Sequence, residues 1–269
     1  MLYVESVILA IVQGITEFLP VSSSGHLLLV HTALGQIEST LGFDVALHWG
    51  TVLAMIVVFR HDLQKLITDW WASIHAWNGS QEQRLPWYLL LAGIPAGVVG
   101  VLFGGQIEAI FRSTDWVILL LVAVAFLFFA VEKASTQSRH MTQLNWKDAL
   151  LIGVAQVLAL VPGTSRSGIT MVAGMARNLS REQAARFSFL SAIPLIFAAG
   201  LKELLDVIQA GRVDGPEGLS MLLGVLVSAL VGYAALKLLL RFVVKYSLRV
   251  FAWYRIGLAI LVLLLIRFT

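Results

Sequence analysis

Cysteine is absent from the 269 residues, which excludes disulfides, thiolate nucleophiles, Cys-type structural zinc and iron–sulfur clusters. Charge is also scarce, at 13% of residues against 58% hydrophobic, and that balance excludes an ordinary soluble domain. Residues 1–43 hold no Lys or Arg. The first apolar run therefore lacks the basic flank of a cleavable signal peptide and is expected to be retained. No Walker pattern occurs, and the six His show no HExxH spacing, so neither a nucleotide loop nor a zinc-peptidase site is predicted. The glycines of 91–105 and 224–232 follow no strand and read as close helix packing. Nothing supports nucleic-acid binding.

What remains is a polytopic membrane protein. Six apolar segments are long enough to cross a bilayer once tilt and flank extension are allowed: about 44–60, 86–104, 116–132, 186–201, 219–240 and 252–267. Basic residues alternate between their ends. Arg60, Lys65, Arg84, Lys133, Arg139, Lys147, Arg177, Arg181, Arg186, Lys237, Arg241, Lys245, Arg249 and Arg255 fall on one side, which the positive-inside rule makes cytoplasmic. Arg112, Lys202, Arg212 and Arg267 fall on the other, and only Arg166 is unassigned. Trp70, Trp71, Trp77, Trp87, Trp116, Trp146 and Trp253 lie near segment ends, as an interfacial aromatic belt requires.

Lys147 and Arg177 share a side although 149–176 between them is apolar, so that stretch must enter and turn back, breaking at "VPGTSRSG". Non-helical backbone at that depth needs protein or a water-filled cavity around it. Residues 4–34 form the matching hairpin from the opposite face, turning at "LPVSSSG". An offset of 143 aligns Gln13 with Gln156, Ser22 with Ser165, Ser24 with Ser167 and Gly25 with Gly168. The predicted architecture is all-α: six transmembrane helices plus two re-entrant helical hairpins in an inverted-topology repeat. Its halves, about 1–131 and 132–269, form a single membrane domain, with the site where the broken helices meet.

Ionisable groups inside a membrane are functional hypotheses by default. Around Arg166, the turn of Pro162, Gly163, Thr164, Ser165, Ser167 and Gly168 offers N–H groups, hydroxyls and a guanidinium, an anion cradle suited to phosphate. At the other tip, Glu17 reads as a proton acceptor or a ligand of Mg²⁺ or Ca²⁺. Ser22, Ser23 and Ser24 follow it, and His26, three residues after Ser23, can serve as that serine's base. His48 and His31 read as helix-packing hydrogen bonders, while His61, His75 and His140 are placed in loops.

"QGITEFLPVSSSGH" and "PGTSRSGIT" resemble the two signature motifs of the bacterial undecaprenyl-diphosphate phosphatases, the bacitracin-resistance family, and the resemblance runs over nearly the whole chain. It implies a bacterial inner-membrane enzyme that removes the terminal phosphate of a C55 isoprenoid diphosphate and regenerates the carrier used for peptidoglycan. It also implies a site facing the periplasm, contact with membrane lipids and, as one assembly open to it, a homodimer. Carried over, the essential glutamate is Glu17, the nucleophile Ser23, the motif histidine His26 and the motif arginine Arg166, with Ser165, Ser167 and Thr170 also matching. Where some members have a second glutamate this chain has Gln13, which can still ligate a cation but cannot be a base. Direct attack by water, with Ser23 only a hydrogen-bond donor, stays open beside a phosphoseryl route. So does a transporter of a phosphorylated isoprenoid or anion, since broken inverted repeats also build transporters.

Overall fold

The computed structural model describes residues 3–33, 41–111, 113–209 and 216–268. Arg112, Arg212, the Arg267 side chain and the end of the first hairpin at 34 lie outside the described residues. Within them the chain is all-helical: α1 (Tyr3–Thr16), α2 (Ser23–Ala33), α3 (Leu41–Val58), α4 (Arg60–His75), α5 (Gln81–Phe111), α6 (Thr114–Ala134), α7 (Trp146–Val157), α8 (Arg166–Ala176), α9 (Arg181–Gln209), α10 (Pro216–Lys245) and α11 (Arg249–Phe268). Among the described residues four helices are long and apolar enough to cross a membrane: α5, α6, the part of α9 from Arg181 to Lys202, and α10 from Gly218. The other two segments expected to span are helical as well, as α3 and α11.

Helix contacts follow the doubling seen in the sequence. α1 and α3 pack against α10, α7 and α9 pack against α5, and α6 pairs with α11. Small residues allow the close approaches that membrane helices need in place of a hydrophobic driving force. At Gly50 of α3, a Cβ would lie 2.5 Å from the Val225 carbonyl oxygen of α10, so only glycine fits there.

One stretch differs from the sequence reading. Residues 60–75 join two apolar segments and were expected as a polar loop, but they form α4, so His61 and His75 are helical residues. Spaced apolar positions Leu63, Leu66 and Ile67 sit among its charges, and Leu63 and Leu66 rest on the main core.

Four of the basic residues assigned to one face are held by carboxylates. Asp148 accepts from Arg139 at 2.9 Å and from Arg177 at 2.6 Å, while Glu132 takes two bonds from Arg181 and the backbone N–H of Leu248. Arg186 pairs with Asp62 at 2.6 Å. Arg255 departs from this set: it is fully buried, away from any surface.

Candidate active site

α1 stops where Pro20 removes a backbone donor, and Glu17–Val21 form a turn before α2. α7 stops likewise before Pro162. Both helices restart on a serine in the left-handed region, Ser22 at φ 76° and Ser165 at φ 71°. Each hydroxyl accepts the backbone N–H three residues on, Gly25 at 3.3 Å and Gly168 at 3.2 Å, and each lies 3.3 Å from the serine two residues on. This is helix capping with a strained cap residue, a combination that persists where surrounding structure enforces it. The offset of 143 carries Ser23–Ala33 onto Arg166–Ala176 residue for residue, so Ser23 and Arg166 occupy equivalent first positions of α2 and α8.

Those two residues meet on one carboxylate. Ser23 Oγ donates to Glu17 Oε2 at 2.8 Å, and Arg166 Nη2 donates to Glu17 Oε1 at 3.2 Å. Gln13 Nε2, one helical turn before Glu17, donates to Oε2 at 3.1 Å. His48 Nε2 lies 3.8 Å from the same oxygen, while its Nδ1–H is directed to the Asp44 carbonyl. The loops also touch directly, with the Gly163 N–H donating to Ser24 Oγ at 3.3 Å.

Three polar atoms are left over. Arg166 Nη1, Thr164 Oγ1 and Gln13 Oε1 are buried with no hydrogen-bond partner among the described residues. An unmade buried bond costs about 1–3 kcal/mol, and more for a charged group, so such atoms are where water or a ligand binds. Two are donors two residues apart in the second loop, which suits an anion's oxygens. The third is an oxygen acceptor one turn from a carboxylate, which suits a hard cation. Among the described residues no three His, Asp or Glu side chains converge on a metal. Glu17 and Gln13 are the residues that would hold Mg²⁺ or Ca²⁺; Mg²⁺ is commonly bound through one or two carboxylates, with substrate phosphate completing the shell.

His26 makes bonds of its own in this structure. Its Nδ1 lies 2.7 Å from the Ser22 carbonyl, which can only accept, so that nitrogen carries the proton. Nε2 lies 2.7 Å from the Tyr254 hydroxyl and accepts from it in the neutral ring. Both ring nitrogens are committed, neither to Ser23, whose hydroxyl is bonded instead to Glu17. The hydroxyls proposed for phosphate also divide. Ser22, Ser165 and Ser167 are engaged within their own caps, and Thr170 donates to the Arg166 carbonyl at 2.7 Å beside Ser188. Ser23, Ser24, Gly163, Thr164 and Arg166 are brought together at the junction.

Three neighbours were not anticipated as site residues. His48 reads from sequence as a packing residue, although a histidine in the middle of "ALHWGTVLA" carries the same membrane cost as Glu17 and Arg166. Arg255 had been counted as an interfacial charge, although it sits inside the apolar run of α11. Tyr254 left no signal in the sequence.

A match to the family described as bacitracin resistance protein BacA covers residues 6–261. The chain belongs to this family. BacA-family relatives named undecaprenyl-diphosphatase include one from Geobacter metallireducens, 41% identical over 253 residues and 94% of each chain. Another from Rubrobacter xylanophilus is 44% identical over 262 residues, 96% of each chain, and one from Mycobacterium sp. strain KMS is 38% identical over 99% of this chain and 97% of its own. Both loops lie inside the span shared by the BacA family.

Gly163 is the least replaceable residue of the second loop. Its φ is +94°, and a Cβ would stand 2.8 Å from the Val117 Cα and 2.9 Å from its carbonyl oxygen. Gly163→Ala is expected to cost about 3 kcal/mol from backbone strain and overpacking combined, read as a lower thermal midpoint together with lost turnover. An unchanged midpoint would contradict this geometry.

Proposed function

We propose that the junction of the two loops is where this chain hydrolyses undecaprenyl diphosphate to undecaprenyl phosphate and inorganic phosphate. The observation that carries the assignment is the Glu17 carboxylate, which takes the Ser23 hydroxyl from one loop and the Arg166 guanidinium from the other. The chain is a membrane phosphatase of the BacA family, and its substrate is the isoprenoid diphosphate its relatives are named for.

In this mechanism the terminal phosphate sits at the unpartnered donors, Arg166 Nη1 and Thr164 Oγ1, with the Gly163–Arg166 backbone around it. Ser23 Oγ attacks the terminal phosphorus while its proton passes along the 2.8 Å bond to Glu17 Oε2. The bond from that phosphorus to the bridging oxygen breaks, and undecaprenyl phosphate leaves. Glu17 passes its proton to the departing phosphate, then takes a proton from the water that attacks the phosphoserine and returns it to Ser23 Oγ as the serine P–O bond breaks, releasing inorganic phosphate. Positioning and charge stabilisation supply most of the acceleration in phosphoryl transfer. Glu17 and Gln13 Oε1 would hold a divalent cation, which when bound supplies further neutralisation of the phosphate oxygens. His26 orients the first loop through Ser22 and takes no proton from the nucleophile.

The architecture belongs to the same reading. α3, α5, α6, α9, α10 and α11 are six spanning helices, and α1–α2 and α7–α8 are re-entrant hairpins of inverted halves, 1–131 and 132–269. The exchange of helix contacts between halves and the matched serine caps support this. The arginines gathered around Glu132 and Asp148 support a cytoplasmic end there in an inner-membrane protein, and the basic-free first 43 residues accord with a site opening to the periplasm.

Phosphate release from undecaprenyl diphosphate by the purified protein in detergent, with and without a chelator, tests this directly. Release that stops on chelation and returns with Mg²⁺ or Ca²⁺ is expected. Folded, monodisperse protein that releases no phosphate with either ion present would overturn the assignment.

A further inference from the structure

Arg255 lies on α11, in a run otherwise suited to lipid, and its side chain is wholly buried. Its guanidinium donates to five carbonyl oxygens at 2.8 to 3.3 Å: Leu120 and Leu121 of α6, Pro20 of the first loop, and Gly163 and Thr164 of the second. Among the described residues no carboxylate bonds to it. Burying a guanidinium costs several kcal/mol unless its donors are satisfied, and here neutral backbone satisfies them, so the positive charge stays uncompensated. A structural arginine needed only for folding would be better served by a carboxylate such as those that hold Arg177 and Arg181.

The acceptors are selective. Gly163 and Thr164 come three and two residues before Arg166, and Pro20 comes three before Ser23. Holding those carbonyls fixes where the following N–H groups and side chains point. Lysine could reach at most three of the five oxygens, and without the planar fork.

We propose that Arg255 is a positioning residue for the phosphatase reaction: it locks both loops to α6 in one register, so that Ser23, Thr164 and Arg166 converge on one diphosphate, and it sets a fixed positive charge behind them. The inference rests on the diphosphate reading of the junction. Displacing reacting groups by 1 Å can cost about a hundredfold in rate, which is the scale on which a lost lock is felt.

The test measures kcat and KM for phosphate release from undecaprenyl diphosphate, together with thermal midpoints, for the parent, Arg255→Lys, Arg255→Met and Glu132→Gln. Glu132 lies eleven residues beyond Leu121 on α6, about 16 Å by helix rise, and serves as a stability control. Glu132→Gln is expected to lower the midpoint while leaving kcat and KM within about twofold. Arg255→Lys keeps the charge but not the lock, so kcat falls at least about tenfold while KM stays within about threefold. Arg255→Met loses both, and KM rises about tenfold besides.

Kinetic constants near parental in both Arg255 variants would overturn the proposal, as would a loss in Arg255→Lys confined to KM. Failure of both variants to give folded protein would also overturn it, making Arg255 a folding determinant. An inactive parent would sink the phosphatase reading and the inference with it, whereas an active parent with unaffected variants sinks the inference alone.

Discussion

Glu17→Gln is expected to lower kcat for phosphate release by about 10³-fold, because a positioned base contributes roughly 10²–10⁴ and the serine hydroxyl is a poor nucleophile without one. The amide is nearly isosteric and its oxygen can still accept from Ser23 or Arg166, so the loops stay in place while the proton acceptor is lost. The substitution also removes a negative charge from a pocket meant for an anion. At saturating divalent cation, phosphate binding therefore should not weaken for electrostatic reasons, and the loss should appear in kcat more than in KM. Steady-state kinetics at several substrate concentrations distinguishes the two. A rise in KM with kcat preserved would make Glu17 a binding residue and leave Ser23 without its base.

Arg166→Ala is the second large effect. Its Nη2 holds Glu17 at 3.2 Å and its Nη1 is buried with no partner among the described residues, so the side chain spans from the proposed base to the place a phosphate oxygen would occupy. Removing one such preorganised donor typically costs about 10²–10³-fold in rate, and here the substrate's charge is also left unneutralised, so KM should rise as kcat falls. Arg166→Lys should recover little, because a point charge cannot bond Glu17 and phosphate together as the planar guanidinium does. Recovery to within about threefold of the parent by lysine would show that charge alone matters and would remove the geometric argument.

Much of this arrangement was legible in the sequence because membranes make polar groups expensive. Glu17 and Arg166 stood out on that ground, and the 143-residue offset pointed to two loops of related shape. The offset even aligns Ser23 with Arg166, the pair that meets on Glu17. The partner of His26 could not be read. A serine three residues earlier lies within reach on a helix, but the ring's bonds go back to the Ser22 carbonyl and across to Tyr254, a residue 228 positions away. Long-range pairing of that kind leaves no local pattern.

Arg255 was misplaced for a related reason. Near the start of an apolar segment an arginine normally snorkels to the interface, and only the packing of α11 on α6 turns this one inward. α4 was missed because its charges mask an amphipathic period in a segment too polar to span.

The central claim is that the two loops make a single catalytic unit, and a double-mutant cycle between Glu17 and Arg166 tests it most directly. Phosphate release is measured for the parent, Glu17→Gln, Arg166→Ala and the double variant. Groups acting as one unit are strongly non-additive, so the double variant should fall within about tenfold of the more damaged single one. Losses that multiply, reaching roughly 10⁵-fold or beyond, would mean that the carboxylate and the guanidinium act independently and would contradict the account.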